Sequence, residues 1–165
     1  MTVLSTTPDT EARTLTVVAE FAAPPARVWQ LWSDPRQLER WWGPPTWPAT
    51  FVEHELVPGG SARYVMTGPE GEQAGGWWRF LDVDEPRSLE LEDGFADADG
   101  RPSTDMPTTR MRMQLEESEA GTRMTLVSQF ASLEQMEQLT SMGMVEGLTE
   151  ALGQIDELLA ARPGR

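Results

Sequence analysis

Pro24-Pro25-Ala26-Arg27-Val28-Trp29-Gln30-Leu31-Trp32-Ser33-Asp34-Pro35, continuing through Arg36-Gln37-Leu38-Glu39-Arg40-Trp41-Trp42-Gly43-Pro44-Pro45, is the most legible stretch of this chain. Proline is at home in the first turn of a helix, where its missing N–H would lack a partner anyway, so a helix over 25–33 is predicted. Asp34-Pro35 ends it. A second short helix over 35–41 carries Leu38, Trp41 and Trp42 toward the interior before Gly43-Pro44-Pro45 forces a loop. Five of the seven tryptophans fall within residues 29–47. Their spacing along the first helix gives a ring-bearing face that must pack on something large, read here as the mouth of a cavity.

Working outward, Leu15, Val17, Ala19 and Phe21 alternate with Thr14, Thr16, Val18 and Glu20, the period of a half-buried strand. Residues 1–12 are read as a flexible N-terminal tail and 13–162 as a single domain. Downstream, turn signals at Pro58-Gly59-Gly60, Gly68-Pro69-Glu70-Gly71, Glu85-Pro86, Asp99-Gly100 and Ala120-Gly121 separate six strands over 49–57, 61–67, 75–84, 88–96, 108–117 and 122–130. Strands in meander order imply an antiparallel sheet. Met111, Met113 and Leu115 share one face while Arg110, Arg112 and Gln114 share the other, so one face is dry and one wet. Arg110, Arg112 and Arg123 are expected to form a charged ladder with glutamates on the wet face.

The last element reads as one long amphipathic helix over 132–161. Ser132 and Gln135 have capping-box spacing, and apolar residues recur at Met136, Leu139, Met144, Leu148, Ala151, Leu152, Ile155, Leu158 and Leu159. Gly143 and Gly147 each weaken a helix interior by about 1 kcal/mol relative to alanine. Close packing of the helix on the sheet is their preferred explanation, ahead of a gap left for a ligand.

Composition narrows the function. At 165 residues the chain suits one domain, able to bury about 70% of its unfolded surface. With 27 acidic against 13 basic residues the net charge is −14, which opposes binding to nucleic-acid phosphates or anionic membranes. All the basic residues are arginine, a bias attributed to a G+C-rich genome. Cysteine is absent, excluding disulfides and thiolate chemistry. No basic and apolar leader opens the chain and no apolar run spans a bilayer, so a cytoplasmic protein is expected.

The order strand, two short helices, six-stranded meander and C-terminal helix is that of the α+β helix-grip fold, a curved antiparallel sheet around a long helix. Val28-Trp29, Asp34-Pro35 and Trp41-Trp42-Gly43-Pro44, with Glu55-Leu56-Val57-Pro58-Gly59-Gly60 and Gly121-Thr122-Arg123-Met124-Thr125-Leu126, resemble the motifs of bacterial proteins related to the activator of the heat-shock protein 90 ATPase. That family lies within the START-like (SRPBCC) superfamily. The resemblance covers about 15–159 and implies an apolar cavity between sheet and helix. It equally implies that activity varies between branches, since a fold does not set a function. The co-chaperone that names the family carries a further N-terminal domain not found in these residues, which sets chaperone activation behind ligand binding. Gly147-Leu148 stands where relatives often have Gly-Trp, implying a less crowded wall.

Catalytic signals are weak. His54, the sole histidine, lies between Glu53 and Glu55 but alternates to the face opposite both, so no triad forms locally. No serine sits in a nucleophile elbow. The segment from Asp93 to Gly100 carries acids at alternate positions, but a solvated hairpin turn explains it better than a calcium loop. No metal, cofactor or catalytic residue is assigned. Trp42, Tyr64, Met66, Trp78, Phe80, Phe95, Met111, Met113, Met144 and Leu148 are the candidates to line a cavity, and nine methionines make its interior adaptable. The expected function is binding of a small hydrophobic or aromatic molecule. The alternatives are an enzyme of cyclase, dehydratase or hydrolase type using His54, Tyr64, Glu53 or Glu55, and a co-chaperone-like interaction module. A homodimer stays open.

Overall fold

The computed structural model describes residues 2–43, 45–96, 101, 108–141 and 143–160. Its strands are β1 (Thr2–Asp9), β2 (Thr14–Phe21), β3 (Ala49–His54), β4 (Ser61–Thr67), β5 (Gln73–Asp84), β6 (Ser88–Ala96), β7 (Thr109–Ser118) and β8 (Gly121–Phe130). They form one antiparallel sheet in the order β1-β2-β8-β7-β6-β5-β4-β3. The meander from β3 to β8 runs in chain order, and β2 returns to pair with β8 through the register Val17↔Leu126 and Ala19↔Met124. Bulges at Phe51/Glu53 and Phe80/Asp82 interrupt the ladders. Each inserts an extra residue that bends and twists its strand, which curves the sheet.

Two expectations need correction. The supposed N-terminal tail contains β1, which pairs with β2 along Ser5↔Val18 to Asp9↔Thr14. Polar composition is misleading here because an edge strand needs no apolar inner face to satisfy its backbone hydrogen bonds. The C-terminal helix is not continuous either: α3 (Leu133–Ser141), α4 (Met144–Gly153) and α5 (Ile155–Ala160) are separate segments. Gly143, at φ +89°, breaks the first pair, a conformation that only glycine adopts without strain.

Between β2 and β3 lie α1 (Pro25–Ser33) and α2 (Pro35–Leu38), started by prolines as predicted. Asp34 caps α2, its carboxylate accepting from the Arg36 N–H at 2.9 Å. α1 packs against β7 and β8 and buries Val28, Trp29, Leu31 and Trp32. Trp32, Trp41 and Trp78 are essentially inaccessible to solvent. Burying rings of this size is worth about 4–6 kcal/mol each as an upper bound. The Trp41 indole also donates to the Leu31 carbonyl at 2.9 Å, holding the loop after α2 against α1.

Period-two alternation holds along the central strands. Met111, Met113, Leu115, Met124 and Leu126 are buried, whereas Arg110, Arg112 and Arg123 are exposed on the outer face. There Arg110 pairs with Glu90 at 3.8 Å and Arg123 with Glu20 at 3.6 Å. The helices close the inner face, with Ala151, Leu152, Ile155 and Leu158 buried in the same cluster as the sheet. Gln154, at the junction of α4 and α5, donates to the carbonyls of Trp41 and Gly43 at 3.3 and 2.6 Å. Helix end and tryptophan loop are thereby fastened together. The capping box forms in part: the Ser132 hydroxyl accepts from the Gln135 N–H at 3.1 Å. The Gln135 side chain accepts from the Ala131 N–H and donates to the Thr108 carbonyl.

Candidate functional site

A cavity of about 330 Å³ lies between the inner face of β4 to β8 and the α3–α4 bend. Of the residues singled out from sequence, Trp42, Tyr64, Met66, Phe95, Met111, Met144 and Leu148 line it. Trp78, Phe80 and Met113 do not: they are 0–1% exposed within the core. Alternation identifies the inner face but not the depth at which packing ends and open space begins. Phe95, at 37% exposure, stands at the cavity's mouth.

The roof explains the two helix glycines differently from close packing. A Cβ built on Gly147 would meet nothing within 4 Å, and one on Gly143 only the tip of Glu146 at 3.9 Å. Both glycines line the cavity. Close packing is thus replaced by the gap.

The floor carries a polar pair that sequence reasoning misses. Tyr64 on β4 donates to the Asp93 carboxylate on β6 at 3.2 Å, reaching across the intervening strand β5. That reach depends on Gly76, the cross-strand partner of both Tyr64 and Phe95. A Cβ at Gly76 would overlap the end of the Tyr64 ring. On the outer face Gly94 accepts the Trp77 indole in the same way. Two glycines therefore let large rings lie flat on either side of the sheet next to Asp93.

Asp93 is not part of a solvated turn, contrary to the expectation from sequence. It continues the inward parity of Leu89 and Leu91, and it lines the cavity. The parity is visible in the sequence; the carboxylate disguises it. Asp97, Asp99 and Gly100, the rest of that acidic segment, lie outside the described residues. Burial raises the Asp93 carboxyl to about 7, against the pull of donors from Tyr64, Trp78 and the Gly94 backbone. Burial, and then the neighbouring Asp93 charge, push the Tyr64 phenol well above its ordinary value. The indole N–H groups of Trp42 and Trp78 lie near enough to favour ionised Tyr64, yet neither has a hydrogen-bond partner of good geometry. Buried Thr109 and Ser128 add hydroxyl groups to a lining that is otherwise largely apolar.

The other acid–base candidates are elsewhere. His54 contacts the Trp32 carbonyl at 3.1 Å and stacks edge-on with Phe51 and Phe80, and burial lowers its pKa. It is a structural side chain below the tryptophan cluster. Glu53 pairs with Arg63 at 2.7 Å on the exposed face. Among the described residues no group of three or more histidine, aspartate or glutamate side chains could hold a metal ion.

An antiparallel sheet curved around C-terminal helices, with a cavity between them, defines a helix-grip protein of the START-like class. Residues 22–160 match the family described as Activator of Hsp90 ATPase homolog 1-like protein, and the chain belongs to that family. It is similar to a protein from Arthrobacter aurescens solved by NMR, at 52% identity and TM-score 0.93, covering 98% of this chain and 94% of that one. A crystal structure from Mycobacterium smegmatis is 48% identical, covers 98% and 99%, and has a TM-score of 0.90. One from Rhodobacter sphaeroides is 28% identical, covers 96% and 99%, and has a TM-score of 0.84. No curated protein matches the chain. No helix among the described residues is long and apolar enough to cross a membrane.

Proposed function

We propose that this protein binds a small hydrophobic or aromatic molecule, in a cytoplasmic setting, within the cavity between sheet and α3–α4. The observation that carries the proposal is the open space above Gly147. A helix laid on a sheet normally closes such a gap, because interiors pack as densely as organic crystals. The void of about 330 Å³ falls at the lower end of the range for small-molecule sites. Its methionines can repack around different shapes. The net charge of −14 disfavours nucleic acid and anionic membranes as partners. Chaperone binding needs an exposed patch rather than a cavity and ranks behind this reading.

Binding should quench tryptophan emission, because Trp42 lines the cavity and stacks edge-on with Trp78 at 4.7 Å. A panel of apolar fluorophores and short lipids should shift that emission and raise the melting temperature. Met144→Trp should abolish both responses while the fold persists. An already filled site would instead lose about 1–3 kcal/mol from overcrowding, and the container reading would then be abandoned. The presence of Asp93 and Tyr64 in the lining supports a second reading, acid–base turnover of the bound molecule. Mass spectrometry showing an altered ligand after incubation would move the assignment to an enzyme.

A further inference from the structure

Among the described residues, Asp93 is an acid without a counter-charge. The Tyr64 hydroxyl donates to it, and the other N–H groups near it, of the Trp78 indole and the Gly94 backbone, are likewise neutral. The cations nearest in register serve the outer face: Arg79 is opposite Glu92, and Arg110 pairs with Glu90. A carboxylate facing an apolar cavity is costly unless a cation accompanies it. The surrounding lining suits a cation twice over. The aromatic rings of Trp42, Tyr64 and Phe95 line it, a side-chain type that attracts cations, and the chain's net charge of −14 draws cations and repels anions.

Resting on the ligand-binding reading above, we propose that the molecule taken into the cavity is an amphiphilic amine, its ammonium group paired with Asp93 and its hydrocarbon portion lying along Met66, Met111 and Met144 beneath the α3–α4 roof. The N–H groups of an ammonium supply what the protein withholds from this carboxylate, a positive charge with donors. Neutral hydroxyl heads gain only a hydrogen bond. Carboxylate heads meet like charge.

Titratable groups around Asp93 are few. From β4 it faces Tyr64, from β5 Trp78 and from β7 Thr109. The α3–α4 roof contributes Leu139, Gly143, Met144, Gly147 and Leu148, with Glu146 and Glu150 exposed beyond it. Among the described residues, Tyr64 is thus the other ionisable group of the cavity, and it stays protonated across the neutral range. Amine binding should therefore follow the Asp93 carboxyl alone. It tightens as pH rises toward 7 and levels off above, by up to about tenfold per pH unit below the midpoint.

The test uses the full chain and three matched probes, octylamine, 1-octanol and octanoate, titrated by calorimetry between pH 5 and 8. The expected result is octylamine binding at least about tenfold tighter than 1-octanol at pH 8, with that preference shrinking as pH falls. Octanoate should be the weakest. Asp93→Asn should bring the amine-to-alcohol ratio close to one; the pH profile of the unmodified protein provides the same discrimination should the variant fail to fold. If 1-octanol or octanoate binds as well as the amine, or if amine affinity is flat with pH, the amine assignment is overturned while the container survives. If none of the three binds, the container reading falls and this inference with it.

Discussion

At the scale of the residue, Asp93 lines the cavity and accepts from the Tyr64 hydroxyl at 3.2 Å. Its carboxyl stands at about 7, against about 3.9 in an unfolded chain, so the folded state holds the proton more tightly. Stability is then greatest below the unfolded value and falls as pH rises toward 7, levelling off beyond. Asp93→Asn removes that dependence and keeps an acceptor for the Tyr64 hydroxyl. The variant should match the parent near pH 4 and exceed it in denaturant unfolding at pH 7 to 8. Equal stabilities across that range would show that the carboxylate is solvated. The same residue marks a limit of pattern reading. Leu89, Leu91 and Asp93 share a parity, but an acid at the third position reads as the strand turning to solvent. Tyr64 and Gly76 supply the missing information only once β4, β5 and β6 lie side by side.

At the scale of the element, the C-terminal segment divides its work between packing and space. Leu152 and Ile155 are fully buried, whereas Gly147, earlier in the same segment, faces nothing within 4 Å. Leu152→Ala should cost about 2–5 kcal/mol. Gly147→Ala should instead gain up to about 1 kcal/mol, since alanine favours the helix and meets no neighbour. Urea titrations of the two variants should move in opposite directions. A loss at Gly147 would mean that the roof is closed. Amphipathic spacing is enough to identify the apolar face of this segment, yet Gly143 interrupts what spacing reads as one helix. Spacing alone does not say whether a glycine sits in the helical region or at φ +89°, because that depends on the path the chain must take over the sheet.

For the whole molecule, the sheet ends at β1 on one side and β3 on the other. β1 covers an edge of β2 that would otherwise present unpaired N–H and C=O groups, a template for association with other chains. Deletion of residues 1–9 should lower the melting temperature by at least about 4 °C and promote concentration-dependent association, measurable by light scattering. A monomer of undiminished stability would show that β1 contributes little. The bulges in β3 and β5 matter at this scale too. They allow the sheet to bend around the helices instead of lying flat against them, and the bend leaves room between Trp42 and Leu148.

What the sequence determined by itself is whatever depends on near neighbours along the chain. Proline at helix starts, glycine at turns, alternation in β7 and β8 and the apolar stripe of the C-terminal segment are local consequences of backbone geometry and solvent. They define the elements, their order and the inward face, and with the motifs around Trp41, Gly59 and Gly121 they identify the helix-grip class. The tertiary structure alone decided which inward side chains border open space. Trp78, Phe80 and Met113 share their inward orientation with Tyr64, Met66 and Met111, but the first three are packed on all sides within the core, whereas the others border the cavity. Whether a side chain is packed or lines a void depends on the distance between sheet and helix, set jointly by bulges, the Gly143 bend and the Gln154 tether. No single segment of the chain encodes that distance.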